Sequence, residues 1–219
     1  MKLRKISPSI LDVKKEDMVN YVNTLIDWGV TNVHYDVMDG EFVPNTALEF
    51  NKIKEIAQNC KTHQMDIHLM VSDVFKYYQM YKELNAILTF HYEAFKDKET
   101  EIKKLIELAK KDHVKLGLAI NPDTEIKVLY PYLKNLDLVL IMSVFPGKGG
   151  QVFIETSYEK VRKIKQYITN HNLKTIIQID GGVKKHNIKS CFDAGINLAV
   201  VGSYLVKNFS KETVDDLLS

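Results

Sequence analysis

Two histidines and two aspartates sit where short apolar runs of this chain end, and together they form a donor set for a divalent metal. In VHYDVMDGEFVPN, residues 33–45, side chains two apart on a strand share a face, so His34, Asp36 and Met38 point the same way. MDIHLMV repeats the arrangement with His68 and Met70, and TIIQIDGG ends its apolar run in Asp180. Two imidazoles and two carboxylates suit one divalent transition ion with mixed nitrogen and oxygen ligands, and zinc, iron, cobalt and manganese all accept such a set. A single strand histidine is more often a hydrogen-bonded core residue. The recurrence at equivalent positions favours a site.

Such residues need a frame that brings strand ends together. Apolar runs at 4–10, 32–37, 65–70, 86–92, 115–120, 137–143, 175–180 and 198–202 alternate with longer amphipathic stretches, the pattern of βα units around a parallel sheet. EDMVNYVNTLIDWG places Met18, Val22, Leu25 and Ile26 at helical spacing, and ETEIKKLIELAKK does so with Ile102, Leu105, Ile106 and Ala109. Gly29 and Gly195 follow helical stretches where a left-handed cap residue is expected. Eight strands in 219 residues predict a single-domain (β/α)8 TIM barrel over residues 1–219. An open doubly wound sheet is the competitor, but the first strand leads into SPSILD and not into G-x-G-x-x-G.

A barrel gathers its chemistry at the carboxyl ends of its strands. Ser9, His34 with Asp36, His68, His91, Asn121, Met142 with Ser143, Asp180, and Gly202 with Ser203 all fall there. The sixth run enters SVFPGKGGQVF, whose Gly147, Gly149 and Gly150 can expose backbone N–H groups to an anion or simply form a turn. Runs seven and eight end in DGG and VGS, where barrels commonly hold phosphate. Gly150, Gly182, Gly202 and Ser203 are therefore the candidate phosphate contacts, with Gly147 and Gly149 as further candidate substrate contacts.

Composition narrows the class. A net charge of +2 and lysine pairs at 103–104, 110–111 and 184–185 read as solvated helix faces, and no basic stripe with interleaved aromatics suggests a nucleic-acid partner. Cys60 and Cys191 show no metal or disulfide spacing, which fits a reducing, cytoplasmic setting. No apolar run approaches the roughly 18 residues of a membrane span, and MKLRKISPSIL lacks a signal-peptide core. Tyr77, Tyr78 and Tyr81 on an outer helix offer either a homo-oligomer interface or packing beneath a loop, the latter being the default.

In order along nearly the whole chain, SPSIL, HYDVMDGEFVPN, DIHLMV, FHYEA, LGLAINP, PGKGGQVF, IDGGV and VGS closely resemble the ribulose-phosphate 3-epimerase family. The resemblance implies a metal-dependent isomerase of the pentose phosphate pathway that inverts carbon 3 of D-ribulose 5-phosphate to give D-xylulose 5-phosphate through an enediolate. It implies His34, Asp36, His68 and Asp180 as metal ligands and Asp36 and Asp180 as acid and base. Met38, Met70 and Met142 would line the site, and Ser9 and His68 would contact substrate.

The chain also departs from the family, which usually carries His at Glu41, Phe at Lys148, a carboxylate at Gln178 and a polar residue at Phe145. These departures leave the sugar open between a pentulose and a hexulose phosphate such as D-allulose 6-phosphate. A non-catalytic barrel that binds a sugar phosphate is a third reading, since fold alone does not fix function. DVKKED at Asp12–Asp17 has the D-x-K-x-x-D spacing of a decarboxylase-like barrel, but it follows the first strand and not the third, and so reads as surface charge.

Overall fold

The computed structural model describes residues 4–219. Eight parallel strands, β1 (Ile6–Pro8), β2 (Asn32–Asp39), β4 (Gln64–Met70), β5 (Ile87–His91), β6 (Lys115–Ile120), β7 (Leu138–Met142), β8 (Ile176–Asp180) and β9 (Leu198–Val201), pair in sequence order, with β9 returning to β1. The circuit closes where Ser9 bridges His34 and the Ile10 N–H donates to the His34 carbonyl at 3.3 Å. The eight expected strands are all present, with ends shifted by at most two residues. A ninth strand, β3 (Thr46–Ala47), pairs antiparallel with the end of β2. It was not foreseen, because two residues after a Gly turn carry no alternation to read.

Helices α1 (Met18–Asp27), α2 (Phe50–Asn59), α3 (Val74–Tyr81), α4 (Lys98–Asp112), α5 (Ser157–Asn170), α6 (Lys185–Ala194), α7 (Ser203–Lys207) and α8 (Lys211–Leu218) complete the fold. The spacing read in α4 is the buried face observed, Ile102, Leu105, Ile106 and Ala109. Asp97 begins α4 by accepting the Thr100 N–H, which satisfies a donor that the helix itself leaves open. Gly29 and Gly195 stand at positive φ after α1 and α6, as expected of helix-ending residues. No α-helix links β6 to β7; two 3-10 turns, Ile126–Leu129 and Leu133–Asn135, take its place. Pro131 lies between them and forbids a continuous helical ladder.

Strand residues facing outward, such as Val33, Tyr35, Ile67, Leu88, Leu118, Val139, Ile141 and Ile177, join the helices in one large apolar cluster. Because both faces of a barrel strand are covered, β5 and β7 are buried along their whole length. Tyr78 and Tyr81 are fully buried in this layer, so the notion of an exposed tyrosine patch fails for both and only Tyr77 is partly open. No helix among the described residues is long and apolar enough to cross a membrane.

Candidate metal centre and active site

Register does the positioning. In parallel pairing His34 lies beside Asp66, Asp36 beside His68, Met38 beside Met70, and Met142 beside Asp180. Partners in register point to the same side of the sheet, here the barrel interior. One nitrogen or oxygen from each of His34, Asp36, His68 and Asp180 falls within 4.8 Å of all the others. His34 Nε2 lies 3.3 Å from Asp36 Oδ1 and 3.7 Å from Asp180 Oδ2, while His68 Nδ1 lies 3.2 and 3.7 Å from the same two oxygens. His34 Nε2 is buried and has no hydrogen-bond partner. An orphaned imidazole nitrogen facing two carboxylate oxygens and a second imidazole fits a divalent cation. The donor set read from sequence is thus assembled in one place.

Around it lies a supporting layer, of which sequence reasoning missed Ser7, Asp66 and Glu93. Asp66 Oδ2 accepts from His34 Nδ1 at 2.7 Å, from the Ser7 hydroxyl at 3.2 Å, and from the Gln178 amide. A carboxylate there fixes the His34 tautomer and leaves Nε2 free to bind. Ser9 donates to Asp36 Oδ2 at 2.7 Å and accepts the Leu11 N–H. On the far side His68 Nε2 meets His91 Nε2 at 2.8 Å, and His91 Nδ1 meets Glu93 at 3.2 Å. The same period-two alternation that selected His68 and Asp180 passes through Asp66 and Gln178, two residues earlier on each strand. That was the available signal. Glu93 lies beyond its strand in a short 3-10 turn and gave none.

The environment drives the two carboxylates apart. Burial works to raise the Asp36 carboxyl, but the His34 and His68 imidazoles close beside it win and hold it below the usual carboxylate range. Burial dominates at Asp180 and, despite His34, pushes it up to about 7, with Asp36 and Asp66 adding to the rise. His34 is lifted above the usual histidine value because Asp66 and Asp36 outweigh its burial. Burial lowers His68 and takes His91 down to about 4.

The cleft above this cluster is lined by Ser9, Met38, Met70 and Met142, and by Gly147, Gly149, Gly150, Gly182, Gly202 and Ser203. Every residue named in advance as a substrate contact therefore borders one cavity. His34 alone lies beneath it, fully buried. A Cβ at Gly182 would come within 2.6 Å of the Phe153 backbone nitrogen, so this glycine lets the β8 end and the 147–153 loop touch. Ser143 ties the same corner, its hydroxyl donating to the Asp180 and Gly181 carbonyls.

Of the departures from the family pattern, Phe145 and Lys148 border the cleft. Glu41 does not: Asp39 accepts the N–H groups of Glu41 and Phe42 and turns Glu41 into solvent. Gln178 lies below the cluster against Asp66. Asp12 and Asp17 of the D-x-K-x-x-D spacing are exposed, with Asp12 on the cleft rim beside Gly149 and away from the cluster. Lys184, read as part of a solvated pair, is half-buried and also borders the cleft.

Two solved structures share the fold: 3-hexulose-6-phosphate synthase (TM-score 0.71, 13% identity, 97% of each chain covered) and the tryptophan synthase alpha subunit of Campylobacter jejuni (TM-score 0.66, 12% identity, covering 99% of this chain and 93% of that one). At such identities the likeness shows the barrel alone. Curated ribulose-phosphate 3-epimerases are much nearer in sequence. That of Bacillus subtilis (strain 168) is 35% identical, covering 91% of this chain and 90% of its own; that of Escherichia coli (strain K12) is 33% identical, covering 100% and 96%. The protein of Buchnera aphidicola subsp. Acyrthosiphon pisum is 34% identical, covering 92% and 87%. The model of the ribulose-phosphate 3 epimerase family matches residues 5–206. With that match over most of its length, the chain belongs to the ribulose-phosphate 3-epimerase family and is an isomerase acting on carbohydrates.

Proposed function

We propose that the chain, acting as one catalytic domain over residues 1–219, interconverts D-ribulose 5-phosphate and D-xylulose 5-phosphate by removing and returning the proton on carbon 3. The observation that carries this reading is the placement of Asp36 and Asp180 with His34 and His68 in one buried cluster at the strand ends, their donor atoms all within 4.8 Å of one another. Inversion needs one group to abstract a proton from one face and another to deliver a proton to the opposite face. Two carboxylates whose environments separate their acidities suit that division.

In this mechanism Asp36 takes the proton while Ser9 steadies its Oδ2. Asp180 gives a proton to the other face, and the reverse reaction exchanges their roles. His34 Nε2, His68 Nδ1, Asp36 and Asp180 would hold one divalent ion, zinc, iron, cobalt or manganese, which when bound supplies Lewis-acid stabilisation for the charge on the ketone and hydroxyl oxygens. Met38, Met70 and Met142 offer polarizable walls without a competing proton and keep water from the reacting carbon. The phosphate would sit at the opposite end of the cleft, on backbone N–H groups of Gly147, Gly149, Gly150, Gly182, Gly202 and Ser203. Cys60 and Cys191 are free thiols, which suits the reducing cytoplasm.

The test is deuterium incorporation at carbon 3, followed by NMR in heavy water, with metal-loaded enzyme given D-ribulose 5-phosphate or D-allulose 6-phosphate. Exchange with inversion of the pentulose supports the proposal. Preferential exchange of the hexulose would move the chain to the sister activity, and exchange of neither would leave a binding barrel.

A further inference from the structure

Glu93 and His91 lie outside the proposed ligand set, yet the half-buried Glu93 and the buried His91 form a chain that ends on one of its members. Glu93 Oε1 accepts the Asn121 N–H at 2.8 Å and the Thr124 hydroxyl, and Glu93 Oε2 faces His91 Nδ1 at 3.2 Å. His91 Nε2 faces His68 Nε2 at 2.8 Å. Lys160 holds the carbonyls of Asn121, Pro122 and Thr124, which fixes the loop on which Glu93 rests.

The proton positions follow from what each atom can do. An ionised carboxylate only accepts, so His91 must carry its proton on Nδ1. A neutral imidazole then presents a lone pair at Nε2, so His68 must donate from its own Nε2. That leaves the His68 Nδ1 lone pair directed at Asp36 Oδ1 and Asp180 Oδ2, 3.2 and 3.7 Å away. With both carboxylates ionised, three acceptors then converge, the arrangement that a bound cation would stabilise. His34 reaches the same state in one step from Asp66, whereas His68 reaches it in two.

We infer that Glu93 is a positioning residue that acts through His91 to lock His68 in the tautomer whose Nδ1 is free to bind the metal. The inference rests on the ligand reading above for its consequence, but not for the tautomer itself. Replacing Glu93 by Gln has a directional effect. The backbone N–H of Asn121 can only donate, so the amide oxygen of Gln must stay on it and the amide NH2 must face His91 Nδ1. His91 then shifts its proton to Nε2, and His68 must carry its proton on Nδ1, pointing into the cluster.

The experiment is two-bond proton–nitrogen NMR of the metal-free protein with 15N-labelled histidine, paired with zinc affinity by chelator competition. Wild type should show His68 protonated on Nε2. Folded Glu93→Gln should show it protonated on Nδ1 and bind zinc about 10–100-fold more weakly, while Glu93→Asp keeps the wild-type tautomer. His68 protonated on Nδ1 in wild type overturns the inference, whether or not the variants fold. So does a folded Glu93→Gln variant with unchanged tautomer and unchanged affinity. Should wild type bind no zinc or other divalent ion, the ligand reading fails, and the wild-type tautomer still decides the inference.

Discussion

The barrel interior has two sides that are equally dry and chemically opposite. Ile87, Ala119, Leu138, Leu140, Met142 and Val144, from β5, β6, β7 and the end of β7, form an apolar cluster separate from the outer core. Across from them Ser7, Ser9, His34, Asp36, Asp66, His68 and Gln178, from β1, β2, β4 and β8, are buried as well. Burial therefore does not distinguish the sides; connectivity does. On the polar side each group is hydrogen-bonded to another, either on the next strand, as His34 is to Asp66 and Asp36 to Ser9, or further across the barrel, as Ser7 and Gln178 are to Asp66. The difference teaches that the apolar side, Met142 and Val144 at the cleft apart, sets how firmly the barrel holds, while the polar side sets what it can do.

Substitutions on the polar side should break function first. Asp36→Asn or Asp180→Asn should lower turnover by at least about 10²–10⁴-fold, the usual scale of a lost acid or base, with circular dichroism unchanged; near-normal rates in a folded variant would refute their roles. Next in size, Asp66→Asn should weaken zinc binding by about 10–100-fold, because the His34 tautomer loses its carboxylate. Chelator competition reads this, and wild-type affinity would show that Asp66 merely fills space. On the apolar side Leu140→Ala should cost about 2–5 kcal/mol in chemical denaturation and leave the turnover of the folded fraction near normal. A selective loss of turnover there would erase the division.

A subtler effect concerns pH. The folded-state value of Asp180 lies above its unfolded value, so between about 4 and about 7 the folded metal-free protein holds a proton that the unfolded chain releases. The Asp180 contribution to stability is thus intact below about 4 and falls as pH rises towards about 7. Urea melts of wild type and Asp180→Asn should converge at low pH, with the variant gaining on wild type as pH rises; a constant gap would contradict the raised value. Smallest of all, Lys148→Phe should shift the ratio of pentulose to hexulose phosphate turnover, since Lys148 borders the cleft. An unchanged ratio would clear that residue.

The outline of the barrel and the four clustered side chains were legible because both rest on period-two patterns within a strand, which one sequence displays. Asp66 sits on the same pattern, two residues before His68, but its meaning depends on register with β2, which places it beside His34. Glu93 is harder still: its partners His91, Asn121 and Thr124 belong to the ends of two strands and a loop, and only the folded chain brings them together. The general (β/α)8 pattern implies a helix between β6 and β7, and Pro131 leaves two 3-10 turns there instead. Glu41, a departure from the family's usual His that left the sugar open, is sent outward by a turn held by Asp39.

The central claim, two carboxylates serving opposite faces of one carbon, is tested most directly by following exchange and inversion together in heavy water. D-ribulose 5-phosphate and D-xylulose 5-phosphate would be supplied separately to wild type, Asp36→Asn and Asp180→Asn at matched metal content. The account predicts that each variant loses inversion but still exchanges the carbon 3 hydrogen of one epimer, a different one for each variant. Inversion surviving in either variant, or both variants exchanging the same epimer, would contradict it.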